Sequence, residues 1–340
     1  MKPPVATRIS FQHLDRLTSA IGLHEHALLG EPRIEHGYCV DDAARGLVLL
    51  CREPELERRT HQMLELYLDF TLRALADNGS CHNRMDPAGI WVDDSGLGDW
   101  WGRAMWGLGF AAVHAPLEQQ RERAIEGFRV LARGTSPDLK SISFAALGAG
   151  ELLLARPDEM AARRILTHAR LRMTSARSIN RIWPEPRFTY SNGSIPEASI
   201  LIGMALIDRP MLEHGISQLE FLLANETRLG RLSVTPAGGR DIDNQEIGFD
   251  QQPIEVAAIA DACARAWRAT GEQRWMEEVQ RAWSWFLGNN DVGVPMFDSA
   301  TSAGYDGLHA RGPNLNQGAE STISMLTTAQ QARAMELSSP

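Results

Sequence analysis

Carboxyl residues recur in short polar stretches that each lead into an apolar segment: Asp41 and Asp42, Asp99, Glu185, Asp250, Asp306 and Glu320. Glycosidic bond cleavage by acid–base chemistry needs two such groups beside the scissile oxygen, one protonated and one ionised. They stand about 5–5.5 Å apart for retention of configuration and about 6.5–9.5 Å apart for inversion. The same stretches hold side chains suited to sugars: aromatic faces at Tyr38, Trp100, Trp183 and Tyr190, and amides at Asn83, Asn192, Gln251, Gln252 and Asn316. His36, His82, Arg45 and Arg103 add further hydrogen-bonding groups.

Each carboxyl also has an ordinary structural use. Neighbouring helical positions point about a third of a turn apart, so only one of Asp41 and Asp42 faces the centre of a cleft, and the other is structural. Glu185 lies between two prolines after a tryptophan, where no helix needs a cap, which favours function. Asp250 serves equally well as a cap for a helix starting at Pro253, and Glu320 as a partner for a helix dipole. His24-Glu25-His26 offers two metal ligands, but a third and fourth at a recognisable spacing are missing, so neither a metal nor a cofactor is expected.

Two kinds of helix alternate to position these groups. Segments apolar on nearly every face run over residues 41–51, from Gly102, over Lys140–Ala155, over Ile195–Ile207 and from Pro253. In the last of these, Val256, Ile259, Cys263 and Trp267 recur at helical spacing among alanines. Between them lie two-faced segments over Ser10–Ile21, Glu55–Ala76, Leu117–Arg133, Asp158–Ala176, Pro210–Glu226 and Glu272–Leu287, and Ala319–Ala332 closes the chain. A turn at Asp86-Pro87-Ala88-Gly89 predicts a small β-hairpin near 79–92.

Strict alternation of buried and half-wet helices is what a closed double ring demands, so the pattern predicts an all-α (α/α)6 toroid of six helix pairs. It forms a single domain over 1–340 with a flexible tail from about 333. An open array of helix pairs would carry a repeat of fixed period, and none is found. Every loop entering an inner helix then lies at one end of the ring, and those are the polar stretches. The opposite end has plain turns such as Gly134-Thr135 and Thr270-Gly271.

A formal net charge of −9 argues against nucleic acids and anionic membranes as partners. No stretch approaches the roughly 20 apolar residues of a membrane span and the N-terminus lacks a signal-peptide core, which predicts a cytoplasmic protein. Cys39, Cys51, Cys81 and Cys263 stand far apart without a CxxC pair and read as reduced core residues.

The motifs GYC-x-DD before Ala-Arg, His82-Asn83, GR-x-x-W-x-LG at Gly102–Gly109, WPEP followed by TY-x-N, FDQQPIE, and N-x-NQGAEST at Asn314–Thr322 complete the pattern. Together they resemble a bacterial family of six-hairpin glycosidase-like proteins, over about His13 to Leu326. Such domains stand alone or follow a glycosyltransferase domain. The resemblance implies an (α/α)6 barrel acting on glycosides, with a possible functional link to a glycosyltransferase. This chain departs from the pattern at Ala43, where Asn is expected, and at Gly96 to Asp99, where a Ser-Glu-Asp pattern is expected.

The expected reaction is hydrolysis of a β-linked oligosaccharide, mannose- or glucose-based, by an inverting two-carboxylate mechanism. In a six-pair ring the first mouth loop faces the fourth and the second faces the fifth. Asp42 as base with Glu185 as acid is thus the first pairing, and Asp99 with Asp250 the second. Phosphorolysis would draw on Arg45, Arg103, Arg187 and Arg311, and sugar epimerisation or isomerisation on His36 and His82. A non-catalytic glycan-binding protein serving a glycosyltransferase is the reading outside enzymology.

Overall fold

The computed structural model describes residues 9–175 and 182–338. The N-terminal stretch 1–8, the expected helix end at Ala176 and the last two residues of the expected tail lie outside them. Among the described residues there are twelve α-helices in six pairs. In chain order they are α1 (Gln12–Leu17), α2 (Val40–Cys51), α3 (Arg58–Arg73), α4 (Asp99–His114), α5 (Glu118–Leu131), α6 (Leu139–Ala155), α7 (Met160–Ser175), α8 (Ser194–Ala205), α9 (Arg209–Glu226), α10 (Pro253–Thr270), α11 (Gln273–Phe286) and α12 (Ala319–Leu337).

The even-numbered helices form the inner ring. Each packs on the next, and α12 packs back on α2. The odd-numbered helices cover them from outside, so the expected (α/α)6 toroid is the fold. Inner helices touch neighbours on every side, which is why their sequences have little polar surface. Between α4 and α6 the approach is backbone to backbone. A Cβ on Gly109 would run into the Gly148 backbone, and one on Gly148 into that of Met105.

Three helix boundaries differ from the periodicity. The first helix ends at Leu17, because Thr18 is extended and begins the loop to Leu23. α4 starts at Asp99, three residues before Gly102, and so carries Asp99 in its first turn. α12 continues to Leu337, so residues 333–337 are helix. Buried Ser and Thr residues weaken the apolar signal of α12. Thr328 Oγ1 donates to Ser324 O (2.8 Å) and Gln330 Nε2 to Leu49 O (3.0 Å), whereas Thr322 Oγ1 is buried without a partner among the described residues.

Short antiparallel strand pairs stitch the loops. Tyr38–Cys39 pairs with Arg84–Met85, Arg187–Phe188 with Arg240–Asp241, and Gly307–His309 with Gly312–Asn314. The turn after Asp86 folds Trp91 back against Met85, with Asp86 Oδ1 accepting from Ala88 N and Ile90 N, both at 2.9 Å. All four cysteines are buried free thiols. No helix among the described residues is long and apolar enough to cross a membrane.

Candidate active site

Polar contacts join the first turns of successive inner helices around one end of the ring. Asp41 on α2 accepts from Arg103 Nη1 on α4 (3.0 Å), and Asp99 on α4 from Ser141 Oγ on α6 (2.9 Å). Lys140 on α6 reaches Asn192 Oδ1 ahead of α8 (3.5 Å), and Asn192 Nδ2 donates to Glu255 on α10 (3.0 Å). Arg45 on α2 donates to Glu320 on α12 (2.8 Å). Backbone bonds between Gln251 and Leu308 tie the loops before α10 and α12 (3.0 and 2.8 Å). The face that carries the polar loops is therefore one connected surface.

A cavity of about 440 Å³ opens there. Its wall holds six carboxyls (Glu25, Asp41, Asp42, Asp250, Asp306 and Glu320) but three guanidinium groups (Arg45, Arg84 and Arg103), with His26, Gln252 and Asn314 among the remaining lining. Each guanidinium already faces a carboxyl: Arg45 meets Asp42 at 2.5 Å and Glu320 at 2.8 Å, Arg103 meets Asp41, and Arg84 meets Glu25. The carboxyls thus outnumber the guanidiniums by three, and Asp250 and Asp306 face none.

Their environments differ. Asp42 is buried beneath Arg45 and accepts from the Cys39 thiol (3.1 Å); burial pushes it up to about 6 against the pull of Arg45. Asp41 is the member of that pair with the more open side chain, held by Asn83 Nδ2 (3.1 Å) as well as Arg103. Burial also raises the Glu320 carboxyl, but the Arg45 and Arg103 guanidiniums outweigh it and hold the group below the usual value. Asp306 is raised by burial and accepts from Gly318 N (2.7 Å) and Ser321 Oγ (2.6 Å), fixing the start of α12. Asp250 is raised by burial too, with His309 as its nearest charge partner at 3.9 Å. Its Oδ1 is buried without a hydrogen-bond partner among the described residues. A Cβ on Gly307 would run into that oxygen, so glycine makes room for the carboxyl.

A second polar cluster adjoins the cavity and holds Asp99, Lys140, Glu185, Tyr190, Asn192 and Glu255. Asp99 and Arg103 lie four residues apart on one face of α4, as do Lys140 and Phe144 on α6, and Arg103 sits 4.6 Å over the Phe144 ring. The Tyr190 hydroxyl donates to Asp99, while Ser191 N and Asn192 N donate to Glu255.

In each expected pair one carboxyl lines the cavity and the other belongs to the second cluster. Asp42 lies in the cavity wall and Glu185 beside Lys140 at 3.8 Å; Asp250 lines the cavity and Asp99 belongs to the second cluster. Asp42 is only 1% exposed, so the place of a water-activating base is corrected to that of a buried anchor for Arg45. Three expected ligand contacts are corrected in the same way. Trp183 packs against Phe188 and Phe221, Tyr38 stacks on His24, and Gln251 is wholly buried, donating to Asp291 (2.8 Å) and Gly248 O (3.1 Å).

Others position loops. Asn83 Oδ1 accepts from Val40 N (3.1 Å) and Asp41 N (3.3 Å) at the start of α2, and Asn316 Oδ1 from Leu29 N (3.0 Å). Trp100 Nε1 donates to Cys81 O (2.8 Å). His82 stacks on Trp91 with Nδ1 against Asp93 O (2.7 Å), and exposed His36 meets His26, Nδ1 to Nδ1, at 3.0 Å.

Glu25, Arg84, Lys140 and Glu255 were not foreseen as site residues. Lys140 had a signal, being a lone charge opening an apolar helix, whereas Glu255 sits where a capping residue is ordinary. Glu25, Cys39 and Asp42 place one ligand atom each within 4.8 Å of one another, yet both carboxyls already face guanidiniums.

No protein-family model and no curated protein matches the sequence. In three dimensions the chain is similar to a sugar epimerase from a ruminal bacterium, with TM-score 0.71, 12% identity and coverage of 96% of this chain and 97% of that one. It is similar to a D-mannose isomerase, with TM-score 0.69, 10% identity, and 98% and 99% covered. It is also similar to a cellulase of C. cellulolyticium in complex with cellobiose, with TM-score 0.62, 9% identity, and 94% and 88% covered. At such identities the likeness establishes the fold.

Proposed function

We propose that this chain is a carbohydrate-active enzyme that hydrolyses a β-linked, glucose- or mannose-based oligosaccharide in the cavity at the mouth of the ring. The observation that carries this reading is the charge of the wall. Cleavage passes through an oxocarbenium-like state that gathers positive charge, which the wall favours, since its carboxyls outnumber its guanidiniums by two even with a proton on Asp250. The neighbours' sugars, cellobiose and mannose, support the substrate class.

Asp250 is the acid: burial keeps its proton to higher pH, and its buried Oδ1 has no competing partner among the described residues. Glu320 is the base, held ionised by Arg45 and Arg103 and by the start of α12, with a side chain 42% exposed and open to water. Water attacks as Asp250 protonates the leaving oxygen, and the proton of that water passes to Glu320, with inversion at the anomeric carbon. Phosphorolysis finds less support, because Arg45, Arg84 and Arg103 are all engaged by carboxyls.

Epimerisation is the second reading, favoured by the epimerase and isomerase likenesses and by His26 in the wall beside His36. Its enediolate gathers negative charge, which the same wall opposes. A glycan-binding partner of a glycosyltransferase would keep the cavity but tolerate amides at Asp250 and Glu320.

Proton NMR with β-linked gluco- and manno-oligosaccharides, with and without phosphate, separates these readings. An inverted reducing sugar without phosphate is the expected result. A sugar phosphate, a C2-epimerised or isomerised product, or binding without turnover overturns it.

A further inference from the structure

Lys140 is 2% exposed, and the carboxylate that pairs with its ammonium, Glu185, stands too far off for a good hydrogen bond. Its nearest contacts are Asn192 Oδ1 at 3.5 Å, Glu185 Oε2 at 3.8 Å and the Tyr190 ring, with centroid 5.6 Å away. At 3.8 Å Lys140 and Glu185 attract without hydrogen bonding, and Glu185 Oε2 is buried with no hydrogen-bond partner among the described residues. A buried donor and a buried acceptor thus stand side by side, both underused, at a cost that unliganded packing does not repay. Tyr190 remains 38% exposed, with its hydroxyl held by Asp99.

This arrangement has the makings of a sugar site: a carboxylate to accept, an ammonium to hold it, and a pinned aromatic ring beside them. A pyranose reaches the cluster at the open edge of Glu185, whose side chain is 23% exposed, and at Tyr190, while Lys140 holds that carboxylate from behind. The cluster is next to the cavity because Asp99 and Arg103 share a face of α4, and Lys140 and Phe144 a face of α6.

We propose that Lys140, Glu185 and Tyr190 form a second saccharide subsite, which holds the sugar ring adjoining the one in the main cavity and selects oligosaccharides over monosaccharides. The subsite rests on the glycoside reading of the cavity, but binding tests it apart from cleavage.

The experiment is isothermal titration calorimetry with glucose and mannose against β-linked gluco- and manno-disaccharides and trisaccharides, for wild type, Glu185→Ala and Lys140→Met. Wild type is expected to bind the best oligosaccharide about tenfold or more tightly than its monosaccharide, since a hydrogen bond to a charged group contributes on that scale. Both substitutions are expected to bring that ratio to within about twofold of unity. Thermal melting separates this from a structural role. An ion pair too long to hydrogen-bond well repays little of its burial, so Lys140→Met should melt close to wild type, whereas a pair that holds the loop in place would make it melt clearly lower.

No gain with length, no binding of any probe, or a gain that survives both substitutions overturns the subsite. A gain that depends on Lys140 and Glu185 without turnover of any probe upholds it and overturns the cleavage reading instead.

Discussion

Arg45 Nη1 lies 2.8 Å from Glu320 Oε2, so the contact that joins the first inner helix to the last also sets the charge of a cavity carboxyl. Ring closure and site chemistry share this ion pair. Arg45→Met should therefore raise the Glu320 pKa and move the acid limb of the pH–rate profile to higher pH. It also strips the partner from Asp42, for a stability loss that proton uptake by the carboxyl caps at about 3 kcal/mol at pH 8. Because Asp42 titrates at about 6, the loss should shrink below that pH, where the carboxyl is neutral. Denaturant unfolding at pH 5 and pH 8 checks this; equal losses would contradict it.

Asp250→Asn and Glu320→Gln should each lower turnover by roughly 10²–10⁴-fold while substrate still binds. The wild-type profile should be bell-shaped, with Glu320 ionisation on the acid limb and Asp250 deprotonation on the alkaline limb. Steady-state rates with parallel calorimetry decide the matter. Full activity in Asp250→Asn would remove it as the acid.

The ring was legible because burial leaves a plain record. Helices enclosed on all sides, such as α6 and α8, are written in apolar residues, and their partners carry a wet face. The site was legible only as a set of loops. Asp41 and Asp42 are equivalent in sequence, and only the packing of Arg45 under the ring shows which is sealed off. Trp183 reads as a stacking platform until the fold turns it toward Phe188 and Phe221. Glu185 and Asp42 look like partners on the assumption that opposite loops meet at the centre. In the structure the cavity lies off that diameter, toward the loops before α2, α10 and α12.

Gly307 gives a test of positioning that leaves the acid itself in place. A methyl group there collides with Asp250 Oδ1, so Gly307→Ala should push the carboxyl off its position. Displacement of about 1 Å at a reacting group costs on the order of 100-fold. The expected signature is a fall in kcat larger than any fall in melting temperature accounts for, because Gly307, though buried, lies in a loop hairpin rather than in a helix–helix contact. An unchanged kcat would mean that Asp250 is not the acid or that its carboxyl yields without consequence.

Glu255 joins α10 to the loop before α8, and it predicts how stability depends on pH. Burial, the largest influence, raises its carboxyl to about 7 from an ordinary 4.5, against the downward pull of the Ser191 and Asn192 N–H groups and of Lys140. A carboxyl raised by folding binds its proton more tightly in the folded chain. Its contribution is fully present below pH 4.5 and is lost as pH rises through about 7, a swing of about 3 kcal/mol by linkage. Asp42 and Glu197, raised to about 6 and about 7 chiefly by burial, act in the same direction. These carboxyls should cost the folded chain stability between pH 5 and pH 8, against an opposite contribution from His13 and His24, whose imidazoles burial lowers. Glu255→Gln, which keeps an acceptor for the Ser191 and Asn192 N–H groups, should flatten that slope without abolishing it. Melting curves across the window would show the slope directly, and an identical slope in the variant would mean that Glu255 stays ionised throughout.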